Sequence, residues 1–309
     1  MNENAAPIKR SFGAFIFLTP DEPRLRAGWR LLAQTFAMFV LAIPLSPLVL
    51  LAFLLTGTIW ELAIGQISEL ILVTVTVFLA RRFLDRRSIA SLGLRWDISA
   101  AKDVLAGIGI TFLMMALIFG IMSSAGWLTF NGFAWQTEPL PQVLGRVTLF
   151  LAIFVLVGWN EELLSRGYHL QTIASGTNIF WGVTLSSAVF GVLHIGNPGA
   201  TWVSTLGIFL AGLFLAYGYL RTGQLWLSVG LHIGWNFFEG VGFGFPVSGL
   251  DVYPLARILV HGPALWTGGA FGPEAGLVIL PALFIGTGLV FLYTRKHFPK
   301  KSEQFGAKF

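Results

Sequence analysis

"VLVGWNEELLSRGYHL", residues 155–170, decides how this chain is read. It starts as a membrane span and then sets Glu161, Glu162 and Arg166 where the apolar run should continue. A charged residue near the bilayer centre costs at least ~2.5–3.5 kcal/mol even on insertion scales, so such groups face a bundle interior and mark function. On one helix, Glu162 and Arg166 are i,i+4 neighbours able to form an internal ion pair. Glu161 points about 100° away and stays available for chemistry. The stretch reads as one working carboxylate beside one braced by arginine.

The surrounding chain agrees with a membrane setting. Its 309 residues are 55% hydrophobic and only 11% charged, with a mean hydropathy of +0.75, outside the range of a domain that carries a polar shell. Runs of roughly 20 apolar residues suffice to cross a ~30 Å hydrocarbon core. They occur near 31–56, 60–80, 104–126, 147–175, 179–196, 200–220, 224–245 and 275–294. The expected fold is therefore all-α, a polytopic transmembrane helical bundle of about eight spans. A cytoplasmic N-terminal segment, 1–29, precedes a single transmembrane domain, 30–296, with its motif core at about 145–240, and a basic cytoplasmic tail, 297–309, follows.

Charge sets the expected orientation. The loops that share a side with both termini hold nearly all the Lys and Arg: Lys9, Arg10, Arg24 and Arg26, then Arg81, Arg82, Arg86, Arg87, Arg95 and Lys102, then Arg221, then the tail from Arg295 to Lys308. The opposite side has Arg146 and Arg257. Both termini are thus expected in the cytoplasm, in a multi-pass protein of a prokaryotic plasma membrane. The pI near 9.7 does not imply nucleic acid, because the basic residues form no aromatic-interleaved patch. The first 29 residues lack a signal peptide's apolar core, so no cleavage is expected. The absence of cysteine excludes disulfides, thiolate ligands and a cysteine nucleophile.

There is no internal repeat or low-complexity segment. The longer connections, about 81–103 and 246–274, are loops of the one domain, and "GPALWTGGAFGPEAG", 262–276, predicts a structured outer cap. Ser186, Ser187, Gly191, Gly212 and Ala216 are small enough to let helices approach closely, which is a packing role.

Spacing finds partners for Glu161. The midpoint between Glu161 and His194 falls in "ASGTN", 174–178, a natural turn between antiparallel helices, so a hairpin brings the two level. His232 lies eight residues past the "RTGQ" turn, roughly 12 Å along its helix, and Glu161 about 14 residues, roughly 21 Å, from its own turn. The depths agree when the amphipathic 163–176 end protrudes past the membrane surface. In "LHIGWNFFEG", His232, Asn236 and Glu239 recur at i, i+4 and i+7 as one polar stripe. Glu239 reads as structural or as facing water near the outer end. Glu61 and Glu69 read as interfacial or packing residues, and His169, His261 and His297 as loop or interface residues.

A carboxylate with an imidazole is equipment for activating water: one takes the proton and the other positions the molecule. A second histidine with an asparagine can donate to the oxyanion of a tetrahedral intermediate. Together these parts describe amide hydrolysis. Two histidines and a carboxylate could instead ligate a divalent metal such as zinc, with one position open; the metal set would be Glu161, His194 and His232.

At this point the residues are similar to a known family. "EELLSR" (Glu161, Glu162, Arg166), "FGVLH" (Phe190 to His194) and "HIGWN" (His232 to Asn236) resemble the EExxxR, FxxxH and HxxxN motifs of the CAAX prenyl protease 2 and bacteriocin-processing family of intramembrane endopeptidases, which includes lysostaphin-resistance-protein-A-like members. The resemblance covers about residues 145–240 in order and spacing, and an eight-helix architecture is the family's. It implies that Glu161 and His194 activate the water, that His232 and Asn236 stabilise the oxyanion, and that Glu162 with Arg166 supports them. The family has been described both as glutamate-dependent and as metallo-enzymes, so either no cofactor or a divalent metal is implied. Eukaryotic members act on prenylated CAAX proteins from the cytoplasmic side; bacterial and archaeal relatives are associated with peptide maturation, self-immunity or regulation. The implied partners are membrane lipid and a peptide or protein substrate, with lipid modification as one option, and no nucleic acid.

Other intramembrane proteases fit less well: there is no HExxH, no GxSG and no pair of aspartates within the expected spans. A different class keeps the same polar groups for ligand or proton binding, in a non-enzymatic immunity or scaffold protein or a transporter. A transporter should show broken helices in two related halves, and the sequence has none.

Overall fold

The computed structural model describes residues 12–19, 22, 24–56 and 60–295. Lys9, Arg10, His297 and the expected tail, 297–309, lie outside the described residues. A short helix, α1 (Phe12–Phe17), precedes α2 (Ala27–Thr56), α3 (Glu61–Leu79) and α4 (Ile98–Ser124). Strand β1 (Leu128–Phe133) leads to α5 (Leu140–Glu162), which continues through a π-helical stretch, Leu163–Leu170, into α6 (Gln171–Gly176). Then come α7 (Ile179–Leu193), α8 (Trp202–Thr222) and α9 (Trp226–Asn236), the last continued by a π-helical Phe237–Gly242. Strand β2 (Ala256–Val260), α10 (Ala264–Thr267) and α11 (Ile279–Thr294) complete the order.

Six helical segments among the described residues are long and apolar enough to cross a membrane: 27–55, 61–84, 98–124, 140–176, 179–196 and 202–222. The chain is an integral membrane protein. The two other expected spans are shorter helices. Residues 279–294 form an apolar helix of sub-span length, and the expected span 224–245 is α9 with its π extension. All of α9 from Leu227 to Asn236 is buried by neighbouring helices, so protein contact rather than bilayer thickness limits its length. The 246–274 connection is structured, as expected, and with β1 it forms a cap that departs from an all-helical fold: β1 and β2 pair antiparallel, with Leu128 opposite Val260 and an irregularity between Phe130 and Phe133.

Local chemistry fixes the helix ends that matter. Asp97 Oδ1 accepts from the Ser99 and Ala100 amides and starts α4. Asn178 Oδ1 accepts from the Trp181 amide, 3.1 Å, closing the turn expected in "ASGTN". Thr201 and Ser204 form a reciprocal capping box at α8. Gly223, with φ +65°, ends α8 in the left-handed conformation that glycine adopts most readily, within "RTGQ".

Small residues set the packing. α4 lies against α9 so closely that a methyl group at Gly230 would collide with the Val104 carbonyl, and one at Gly107 with the Leu231 amide. Between α7 and α8, Gly212 rests on Ser187, as the small-residue pattern predicts. The main core gathers Met114, Met115, Ile118 and Met122 of α4 with residues of α8, α9 and α11. The outward faces of α2, such as Leu32, Phe36 and Ile43, remain exposed and apolar, as lipid contact requires.

A buried ion cluster ties the Arg-rich ends together. Asp85 binds Arg30 through one oxygen and Arg81 Nη1 through the other, at 2.9 Å for the latter. Arg30 also reaches Ser175, and Arg81 reaches Ser91 and Gln171. Arg81 is 3% exposed, so it serves this cluster and not the solvated loop expected from its sequence position. Asp103 falls in the first turns of α4, inside the helix and not before it, and accepts from the Tyr293 hydroxyl at 2.8 Å.

Candidate active site

Glu161 and Glu162 occupy the last turn of α5, one residue before the backbone widens into the π-helical stretch. The i,i+4 pair exists as expected: Arg166 Nη1 meets Glu162 Oε1 at 2.7 Å, with both side chains fully buried. Arg166 is held further by the Gly212 carbonyl, at 2.9 Å from Nη2, and by the Phe190 ring, whose centroid lies 4.4 Å from the guanidinium carbon. Phe190 thereby links the first two motifs.

Glu162 does more than pair with arginine. The same Oε1 atom accepts from Nδ1 of His232 at 2.9 Å, joining α5 to α9. Helix-local spacing shows only the arginine contact, because His232 is 70 positions away in sequence. A carboxylate can accept but not donate, so Nδ1 of His232 carries a hydrogen. His194 follows the same rule: its Nδ1 lies 2.8 Å from the Phe190 carbonyl oxygen, also an obligate acceptor. Both rings thus turn Nε2 toward Glu161.

The α5–α7 hairpin and α9 do bring these groups level. Glu161 Oε2 lies 3.8 Å from His194 Nε2 and 3.7 Å from His232 Nε2. These separations are too long for direct hydrogen bonds and suit one shared water-sized group between the three atoms. Glu161 Oε2 and Glu162 Oε2 are buried without a hydrogen-bond partner among the described residues. Asn236 faces the same cavity, one helical turn beyond His232.

That cavity has a volume of about 480 Å³, with walls that are mainly apolar, among them Phe150, Phe154 and Leu231. Two carboxylates that the motifs do not mark also line it. Glu69 of α3 faces the cavity within electrostatic reach of Glu161, which corrects its reading as an interfacial or packing residue. Glu274, from the cap, is the other. No local pattern surrounds Glu69, and only the packing of α3 on α5 brings it there.

Glu239 leaves the expected stripe. It is fully buried, and neither oxygen has a hydrogen-bond partner within bonding distance among the described residues; it lies close to Gly272 and Glu274 rather than in the cavity or at water. The π-helical winding that starts at Phe237 separates it from His232 and Asn236. His261 bonds Thr129 on the two-stranded sheet, at 2.9 Å. Among the described residues no group of three or more His, Cys, Asp and Glu is disposed to hold a metal ion.

Comparison with known proteins agrees with the motifs. Residues 143–238 match the family described as type II CAAX prenyl endopeptidase Rce1-like. A Bacillus subtilis (strain 168) protein named "Putative membrane peptidase YdiL" is 24% identical over 148 residues, which are 48% of this chain and 55% of that relative. The chain therefore spans about half the length of the curated relative it matches. No solved structure matches it. The matched segment contains Glu161, Glu162, Arg166, His194, His232 and Asn236, and over that segment the chain is similar to the type II CAAX prenyl endopeptidases of the Rce1-like family.

Proposed function

We propose that this protein is an intramembrane endopeptidase that hydrolyses a peptide bond near the membrane surface. The observation that carries the reading is the convergence of Glu161 Oε2 with the Nε2 atoms of His194 and His232 at 3.7–3.8 Å in a mainly apolar cavity. A water bound there gives one hydrogen to Glu161 and one to His194 Nε2, both acceptors, and its lone pair is left to attack a carbonyl carbon. As the carbon–oxygen bond forms, Glu161 takes the proton. His232 and Asn236 face the developing oxyanion, and His232 donates from Nε2 when its ring carries a hydrogen on both nitrogens. Collapse of the intermediate breaks the carbon–nitrogen bond, and the proton held by Glu161 passes to the leaving amine. Glu162 and Arg166 fix the ring of His232 and the end of α5.

The substrate class follows from the setting and the family likeness: a membrane-associated peptide, with a prenylated C-terminal cysteine as the first modification to test. The Lys and Arg distribution supports a site opening to the cytoplasm, with both termini on that side.

The test is cleavage of fluorogenic membrane-tethered peptides, with and without a prenylated cysteine, by wild type, Glu161→Ala and His194→Ala, each with and without chelator. Cleavage by wild type that is lost in both variants is the expected result. Loss of wild-type cleavage with chelator would assign the three side chains to a metal instead. Cleavage that survives both substitutions would leave the groups as a ligand or scaffold site and end the hydrolytic reading.

A further inference from the structure

Glu274 lies in the cap, 35 residues beyond the last residue of the sequence stripe, yet it is 4% exposed and lines the cavity. Each of its oxygens has a distinct partner. Oε1 accepts from the Trp235 indole at 3.0 Å, and Trp235 stands between His232 and Asn236 on α9. Oε2 accepts from the Ser248 hydroxyl at 2.6 Å. The Ser248 carbonyl in turn accepts from Asn197 Nδ2 at 2.9 Å, three residues after His194.

The second arm runs through a constrained turn. Ser248 has φ +48°, a conformation that costs a side-chain-bearing residue energy and persists where its surroundings hold it. A methyl group at the next residue, Gly249, would collide with the Pro198 carbonyl, so the turn is seated directly on the segment that follows His194. Glu274 itself is seated on α8, where a methyl group at Gly207 would strike its carbonyl.

We propose that Glu274 is a positioning residue that holds His194 in register with His232 and Asn236. The inference rests on the reading of these residues as the reaction centre. One carboxylate spans the two catalytic segments, one arm reaching α9 through Trp235 and the other reaching the end of α7 through Ser248 and Asn197. α7 ends at Leu193, so His194 has no continuing α-helix to fix it from its C-terminal side. The bridge supplies that restraint.

Glu274→Ala is expected to lower kcat by about tenfold to a hundredfold, the effect of a small misplacement of reacting groups, with KM within about twofold. Glu274→Gln should recover most of the loss, since its amide oxygen still accepts from Trp235 and its amide nitrogen can donate to a rotated Ser248 hydroxyl. Ile118→Ala, a truncation in the main core at a residue outside the cavity lining, supplies a destabilised reference whose folded fraction keeps its kcat. Nitrogen NMR of the imidazoles gives a readout independent of cleavage: the signals of His194 and His232 should shift in Glu274→Ala, and that of His169 should not. Where Glu274→Ala does not fold, Asn197→Ala removes the outer arm alone and should move the His194 signal.

Unchanged kcat, a loss that matches Ile118→Ala at equal melting temperature, or unmoved ring signals would each overturn the proposal. If wild type cleaves no peptide, or Glu161→Ala cleaves as well as wild type, the peptidase reading fails separately. The ring signals then decide the positioning role by themselves.

Discussion

Two clusters of buried charge among the described residues, around Asp85 and around Glu161, are finished differently. Around Asp85, both carboxylate oxygens are taken by arginines, and the arginines spread their other donors over Ser91, Gln171 and Ser175. Around Glu161, one carboxylate oxygen faces two imidazole nitrogens at 3.7–3.8 Å and has no hydrogen-bond partner among the described residues. The first arrangement leaves little for a ligand to do. In the second, three polar atoms converge on one point without satisfying one another, which leaves room for a group that can bond to them. Burial of charge therefore does not identify a site; the convergence of several groups on one cavity does.

The sharpest way to break this contrast is Glu161→Ala. Peptide cleavage should fall by about 10²–10⁴-fold, the share of a general base, with the melting temperature in detergent hardly moved. A large stability loss with little loss of cleavage would make the two clusters alike. Asp85→Ala should do the reverse. It leaves Arg30 and Arg81 buried without their counter-charge, for a destabilisation of about 3–5 kcal/mol, readable as a drop in melting temperature and in folded yield.

Smaller effects sharpen the comparison. Asn236→Ala should lower kcat by about a hundredfold, as for one lost oxyanion donor, without an equivalent rise in KM. If KM rises instead at constant kcat, Asn236 binds substrate and does not stabilise the intermediate. Gly230→Ala tests the scaffold below the site. The added methyl meets the Val104 carbonyl, and the α4–α9 contact should loosen at about 1–3 kcal/mol, seen in thermal unfolding.

The sequence makes much of this arrangement legible, for reasons that are local. The Glu162 and Arg166 contact follows from helical spacing, and the Glu161–His194 level follows from one short turn that Asn178 caps. His232 and Asn236 are one turn apart on α9 and share its cavity-facing side. The contacts that spacing misses are those made between distant segments. His232 reaches Glu162 because α9 crosses α5, Glu69 faces the cavity because α3 packs on α5, and Glu274 enters from a loop whose path no periodicity describes. The expected span 224–245 is helical from Trp226 to Gly242, somewhat shorter than predicted, in a helix enclosed by protein that is not obliged to match the bilayer.

Of the three π-helical stretches among the described residues, Ala80–Leu84, Leu163–Leu170 and Phe237–Gly242, the last two start directly after the Glu161–Glu162 pair and after Asn236. Each holds surplus chain within a helix, which gives the protein an unusual relation to sequence length. Deleting Gly167 would remove part of that surplus and let the stretch wind closer to ordinary α-helix, leaving the hairpin that carries His194 near its present phase. In an ordinary α-helix the same deletion would turn everything beyond it by about 100°. A helix that carries spare chain is thus buffered against a loss of length that would disorganise a regular one.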